Sequence, residues 1–311
     1  MNKAIEIAKY IGQPIDSNLP VSPILAEIAD LETAEVGENV YTVVPDDGNG
    51  VDTIYTTDSN GTIVSVKVTL GTSTELTFAF LQSKLEYVLV KEVLGSPDKT
   101  ALARRKASIV RSMDKIEVKR CLDAILAVSS QEVEQSTGGD ILDLIKALAR
   151  KVENYGDNMI LLCGTTCWNA INDYSKTKVE DNNYELDIDK EIKKLGIEKR
   201  MKVIGNIKLD SGSDLAVLDA SKMILVARDS SLLKGKPIVF VRRKMSPIAE
   251  NAGAEITAEE RALFVPEVPA PFYNGTTMAT GYGVFGFESV IHAVLNYRAV
   301  SFATYDASLD V

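Results

Sequence analysis

Between Thr62 and Leu70 apolar and polar residues alternate. Thr62, Val64, Val66, Val68 and Leu70 fall on one side, and Ile63, Ser65, Lys67 and Thr69 on the other. A period of two predicts a β-strand with one buried face. Two more strand-like runs, YTVV and VDTIYTT, precede it, separated by PDDGNG and DSNG. Asn-Gly is the strongest short hairpin signal, so residues 41–82 read as an extended β-hairpin. Two or three strands do not hold together alone in water. The face of Val64, Val66 and Val68 is therefore expected to pack on an adjacent subunit. Residues 1–40 show little strand pattern and read as an arm with at most short helices.

The period changes after Ser96-Pro97-Asp98, a helix start with proline in the first turn. Nothing interrupts the helical pattern until about Ser129, which predicts a helix over 97–129, roughly 48 Å long at 1.5 Å per residue. Leu102, Ile109, Met113 and Ile116 share one face of its first half, opposite Arg104, Arg111, Lys115 and Lys119. In the second half the apolar side moves to Val118, Cys121, Leu122 and Ile125, so the two ends touch different layers or the helix bends.

A polar linker follows, and then a second helix. Asp140 stands as its N-cap, Asp143 lies in its first turn, and Ile141, Leu144, Ile145, Leu148 and Val152 form one face. Gly156 is expected to stop it. NMILLC reads as a buried strand leading into a helix from Thr165 through Trp168, Ile171 and Tyr174. DIDKEIKKLGIEKR reads as one helix of mixed charge. MKVIGNIKL, LAVLDA, KMILVAR and KPIVFVRRK read as short strands, and Phe264 to Thr304 is again β-rich. Strands and helices are segregated, so the fold class is α+β.

The composition is ordinary for one large or two modest globular domains: 311 residues, 45% hydrophobic and 25% charged. Three cysteines exclude a disulfide scaffold and point to a reducing compartment. No apolar run reaches the length of about 18 that would span a membrane, and the N-terminus lacks a secretory signal's apolar core. The net charge of −10 argues against a surface that grips nucleic acid throughout. Its distribution says more. Residues 10–66 hold ten acids and no Lys or Arg, which accounts for the whole net charge. Residues 99–120 hold eight bases against two acids. Such asymmetry marks a surface that meets another molecule or another copy of the chain.

Signatures of chemistry are weak. Cys163 and Cys167 are spaced as a lone pair, without the second pair or histidine partners a zinc site needs. The single histidine, His292, lies in a strand-like run, where half-buried structure is the ordinary role. A cysteine–histidine nucleophile pair stays open because sequence gives no distances. Gly281-Tyr282-Gly283-Val284-Phe285-Gly286 matches G-x-G-x-x-G only in letters, since no helix clearly opens within it. No catalytic, cofactor-binding or metal residues are assigned. The basic helix face has three readings: solvated, touching phosphate, or receiving the acidic segment of a neighbouring subunit. The last is favoured. It pairs Arg104, Arg111, Lys115 and Lys119 with Glu32, Glu35 and Glu38 across a subunit interface.

The order of these elements, an arm, a long hairpin, a long helix, a compact α+β region and a β-rich return, resembles the tailed-phage major capsid proteins of the Hong Kong 97-like fold. Ser231-Leu232-Leu233-Lys234-Gly235-Lys236-Pro237-Ile238-Val239 is similar to that family's strand entry, and Tyr282 to Phe302 to its closing strands. The resemblance implies an N-terminal arm at 1–40, an extended loop at 41–82, and a peripheral domain at 83–139 with a spine helix at 97–129. It implies an axial domain at 140–240 and a β-rich return at 241–311. It further implies pentamers and hexamers in an icosahedral shell around packaged DNA, in a virion made in a bacterial host's cytoplasm. A portal is an implied partner. A long charged helical scaffold segment is missing, so a separate scaffolding protein is expected unless such a segment was removed before residue 1. An encapsulin-type compartment shell and a Cys163-dependent enzyme are the alternatives.

Overall fold

The computed structural model describes residues 22–43, 73–83, 85–91, 100–182, 188–208, 213–230, 235–244, 261–264 and 270–309. In chain order these form helix α1 (Pro23–Ile28) and strands β1 (Ala29–Ala34), β2 (Val40–Val43), β3 (Thr74–Thr77), β4 (Ala79–Gln82) and β5 (Glu86–Leu89). The long helix α2 (Thr100–Leu126) follows, then β6 (Glu132–Val133), α3 (Ile141–Val152), β7 (Gly156–Cys163), α4 (Thr165–Asn182) and α5 (Ile188–Lys194). The chain continues through β8 (Ile197–Lys202), β9 (Asn206–Lys208), β10 (Asp214–Ala216), β11 (Lys222–Ser230) and β12 (Ile238–Arg243). It ends with β13 (Arg261–Phe264), β14 (Ala270–Tyr273), β15 (Met278–Val294) and β16 (Val300–Thr304).

The apolar runs NMILLC and KMILVAR have no polar face because their sheet is buried on both sides. That sheet has the strand order β6-β16-β11-β7-β8. On one face Leu161, Cys163, Met223, Leu225 and Ala303 pack against Leu144, Ile145 and Leu148 of α3, Ile171 of α4 and Ile192 of α5. On the other, Ile160, Leu162, Ile224, Val226 and Phe302 pack against Leu25 and Ile28 of α1 and Val118, Leu122 and Ile125 of α2. Ile238 and Phe240 of β12 and Val290 of β15 close the same cluster. The period-two alternation is intact; both of its phases are apolar.

The second sheet is organised by β15, a 17-residue strand. β12 pairs with its C-terminal end and carries β1 in parallel on its outer side. Glu288 of β15 lies between Arg261 of β13 and Leu81 of β4, so those two strands flank it. Gly281 is likewise flanked by Ala270 of β14 and Leu89 of β5. Helix α2, 27 residues and about 40 Å long, packs along one face of this sheet.

The N-cap of α3 behaves as the sequence predicts: Asp140 accepts from the Asp143 amide at 2.9 Å, and also from the Tyr174 hydroxyl at 2.8 Å. The long helix buries Ile109 and Met113 in its first half and Val118, Cys121, Leu122 and Ile125 in its second, the expected change of face. Its expected start at Ser96-Pro97-Asp98 lies outside the described residues, and it ends at Leu126, three residues early.

Three readings are corrected. The 1–40 region contains a strand, β1, which escapes a pattern search because only Ala29 and Ala34 are buried and its stability comes from backbone pairing with β12. The mixed-charge helix stops at Lys194, and Gly196, at φ +79°, turns the chain into β8. Gly156 does not stop α3, which has already ended at Val152; it begins β7. Its missing side chain lets β7 approach β11, since a Cβ there would sit 2.7 Å from both Ala227 Cβ and the Asp229 carbonyl oxygen.

Gly156→Ala should therefore overpack the β7–β11 seam and lower stability by about 1–3 kcal/mol, read as a reduced urea midpoint with unchanged slope. An unchanged midpoint would show that the strands separate freely.

Candidate assembly surfaces

The long helix is tied to the β15 sheet by one buried ion pair. Arg242 of β12 donates from Nε to Glu117 Oε1 at 2.8 Å and from Nη2 to Oε2 at 2.7 Å. Glu117 is fully buried and the Arg242 side chain is 12% exposed. Sequence reasoning passed over this pair. Its signal was there: Glu117 lies four residues after Met113 and four before Cys121, on the buried stripe of the helix. A second network fixes α1 to the first sheet. Glu27 accepts from Lys199 and Arg228, each at 2.6 Å, and Arg228 also reaches Glu198 at 3.0 Å. These hydrogen bonds hold the Glu27 carboxyl below its ordinary range, with Lys199 the strongest contributor. Lys236, at the entry to β12, ties the same helix to the long sheet by donating from Nζ to the carbonyls of Ala26 and Ala29.

The predicted basic residues all lie on α2 but in different states. Arg104 and Arg111 are exposed. Lys115 donates to the Asn206 carbonyl at 3.2 Å, and Lys119 is paired with Asp123 at 2.8 Å. The predicted acids lie far along the chain from them, at β1 and the turn after it. Glu35 is paired with Lys244 at 2.7 Å. Glu32 accepts from the Tyr41 hydroxyl, and Glu38 accepts from the Glu35 amide at 3.3 Å. Arg243 donates to the Glu38 carbonyl and to Asn39. Within one chain, each acid is thus engaged beside its own strand.

Val64, Val66 and Val68 lie outside the described residues. The ends of their segment do not: β2 and β3 pair antiparallel, Val43 opposite Thr74, closing the base of the excursion between them. That base sits on the long sheet. Val43, Tyr41, Leu76 and Phe78 pack with Val239, Val241 and Ile291. Val290 faces α2, so Ile291, the next residue of β15, faces away from it. Nearby, Phe80 lies against Phe287 with ring centroids 5.7 Å apart and the planes tilted by 31°, yet is 59% exposed.

No protein-family model and no curated protein matches the sequence. Solved structures do match, at low identity. A phage-related protein from Bordetella bronchiseptica superposes with a TM-score of 0.52 at 12% identity, covering 96% of each chain. The satellite phage P4 procapsid with its size determination protein gives 0.52 at 10% identity, over 97% of this chain and 89% of that one. A virus-like particle from Pyrococcus furiosus gives 0.50 at 11% identity over 96% of both. The chain has a Hong Kong 97-like capsid fold.

Within this capsid-type fold the cysteines are packing residues. Cys163 and Cys167 have no exposure, and burial pushes both thiols up to about 12. Burial raises the Cys121 thiol as well. A thiol this hard to ionise is not a nucleophile at neutral pH. The glycine-rich run 281–286 lies within β15, so it opens no helix and no phosphate cradle. Among the described residues no group of three His, Cys, Asp or Glu is placed to hold a metal, and no helix is long and apolar enough to cross a membrane.

Glu117→Ala should cost about 3–5 kcal/mol by stranding Arg242, while Glu117→Leu with Arg242→Met should regain most of it, both read from urea midpoints. A single variant as stable as the wild type would mean that water reaches Arg242. Thiol titration offers a separate check. The native chain should react with less than one of its three cysteines in minutes, and the urea-unfolded chain with all three.

Proposed function

We propose that the chain is a structural, self-assembling shell protein, the major capsid protein of a tailed phage. The observation that carries this reading is the capsid-type fold shared with the satellite phage P4 procapsid over nearly the whole chain. In this reading pentamers and hexamers build an icosahedral shell around non-specifically packaged DNA, with a separate scaffolding protein and a portal as partners. The protein is made in a bacterial host's cytoplasm and ends in the virion. Segment 41–82 is the extended loop, and 83–139 the peripheral domain with its spine helix. Segment 140–240 is most of the axial domain, and 241–311 returns through both domains. The pairing of β2 with β3 supports a loop that leaves and re-enters the body at one point.

The chemistry is geometric, not catalytic, and the buried thiols weigh against a Cys163-dependent enzyme. The subunit interface pairs Arg104, Arg111, Lys115 and Lys119 with Glu32, Glu35 and Glu38 of an adjacent copy, with Val64, Val66 and Val68 seated on that copy. Exposure of Arg104, Arg111 and all three acids supports this arrangement. A protein-compartment shell of encapsulin type is the second reading; the fold likeness to the virus-like particle is comparable to that to the phage procapsid and does not separate the two.

Electron microscopy of the purified chain, alone and with its scaffold, should show closed particles. A monodisperse monomer under all conditions would overturn the shell reading, and particles filled with protein instead of nucleic acid would favour the compartment. Arg111→Glu, Lys115→Glu and Lys119→Glu together should block closure, and Lys at 32, 35 and 38 should partly restore it. Each exposed pair contributes only about 0.2–1 kcal/mol, so single reversals should do little. Normal assembly of the triple reversal at low salt would leave the helix face merely solvated.

A further inference from the structure

His292 is the only histidine of the chain, and the structure puts it in the seam between β15 and α2. It lies two residues from Val290 and from Val294, both of which pack with Val118, Leu122 and Ile125 of the helix. Its ring therefore enters the same side of the sheet. Phe240 of β12 is its partner across the ladder. Nδ1 is buried, and among the described residues nothing hydrogen-bonds it. The neutral ring tolerates this better, because Nδ1 is then a bare acceptor and costs less than a buried charge. An imidazolium cannot, since it carries an N–H at both nitrogens.

We propose that His292 is a proton-sensitive latch: neutral, it lets the long helix seat on the long strand, and charged, it loosens that seam. Burial, and after it Arg120, makes the protonated form unwelcome. Arg120 of α2 repels it. Asp123 of the same helix attracts it but is already paired with Lys119. Glu117 of α2 and Arg242 of β12 neutralise each other. Glu288, four residues back along β15, is buried on the same side. The cluster on that side also holds the buried Cys121 of α2, whose thiol burial keeps protonated and neutral, and otherwise the apolar Val118, Leu122, Ile125, Phe240 and Val290. Burial first, and then Arg120, lowers the affinity of His292 for a proton.

The sign follows from linkage. The folded chain holds this proton less readily than the unfolded one, so stability is complete above the unfolded value of about 6.5 and falls as the pH drops from there through the lower folded value. Ordinary carboxylates titrate mostly below this window, and the His292 variants separate the histidine's share from that of the buried Glu288 and Glu117.

Hydrogen exchange of the full chain at pH 7 and pH 5, corrected for the intrinsic rate, tests the proposal. In the wild type, amides of Glu117–Leu126 and Val290–Val294 should exchange at least about threefold faster at pH 5, with α3 and β7 unchanged. His292→Phe and His292→Gln should each abolish the difference, and the glutamine variant serves if the phenylalanine one misfolds. A wild type without the difference, variants that keep it, or loosening spread evenly over the chain would each overturn the latch.

Discussion

A sheet that is apolar on both faces has to be covered twice, and most of this architecture follows from that. Three helices cover one face of the β6-β16-β11-β7-β8 sheet; α1, α2 and the long sheet cover the other. The cover on the second side is itself a sheet–helix layer, so the chain has to pass from one body to the other and return. The last strand makes the return. β16 lies inside the first sheet, between β6 and β11, and reaches it directly from the end of β15. The core is therefore incomplete until residue 304 is in place, and its closing contacts are distant in sequence.

Apolar burial brings α2 to the seam but does not set its position along β15, because a smooth hydrophobic surface tolerates sliding. The Glu117–Arg242 fork supplies that register. A bidentate pair with both bonds under 3 Å fits at one position only, and any slip would strand two buried charges. The pair adds little net stability over a hydrophobic replacement; its contribution is specificity. Glu27, Arg228 and Glu198 do similar work for α1, at the protein surface and with weaker energetic consequence.

How much of this was legible depended on whether a residue's neighbours were local. Asp140 announces its helix because the amide it caps is three residues away. NMILLC announces a buried strand by its own content. Ala29–Ala34 announces nothing, since its partner is the backbone of β12 some two hundred residues later. Ile197–Arg200 is misread because charges spaced three and four apart suit a helix, and only Gly196 at φ +79° breaks the run. Among the site residues, the position of Arg104 and Arg111 on an exposed helix face was readable from period alone. The home partners of the acids were not, because Lys244 and Glu35 meet only when β1 and β12 pair.

The folded body uses up nearly all the strong apolar pattern of the described chain. What it leaves outside among the described residues is charge together with scattered single apolar side chains, among them Phe80, Ile204, Tyr273 and Met278. That division suits a shell subunit. Contacts made from exposed charges contribute about 0.2–1 kcal/mol each, so one misplaced contact between copies is easily broken. Repetition over many copies then supplies the total, while screening, with a length of about 10 Å at 0.1 M salt and 3 Å at 1 M, keeps the outcome adjustable. A large apolar interface would release too slowly for a misplaced copy to be corrected. In the proposed shell, strong interactions inside the subunit would keep the fold fixed while weak, repeated ones outside it would keep assembly reversible until it closes.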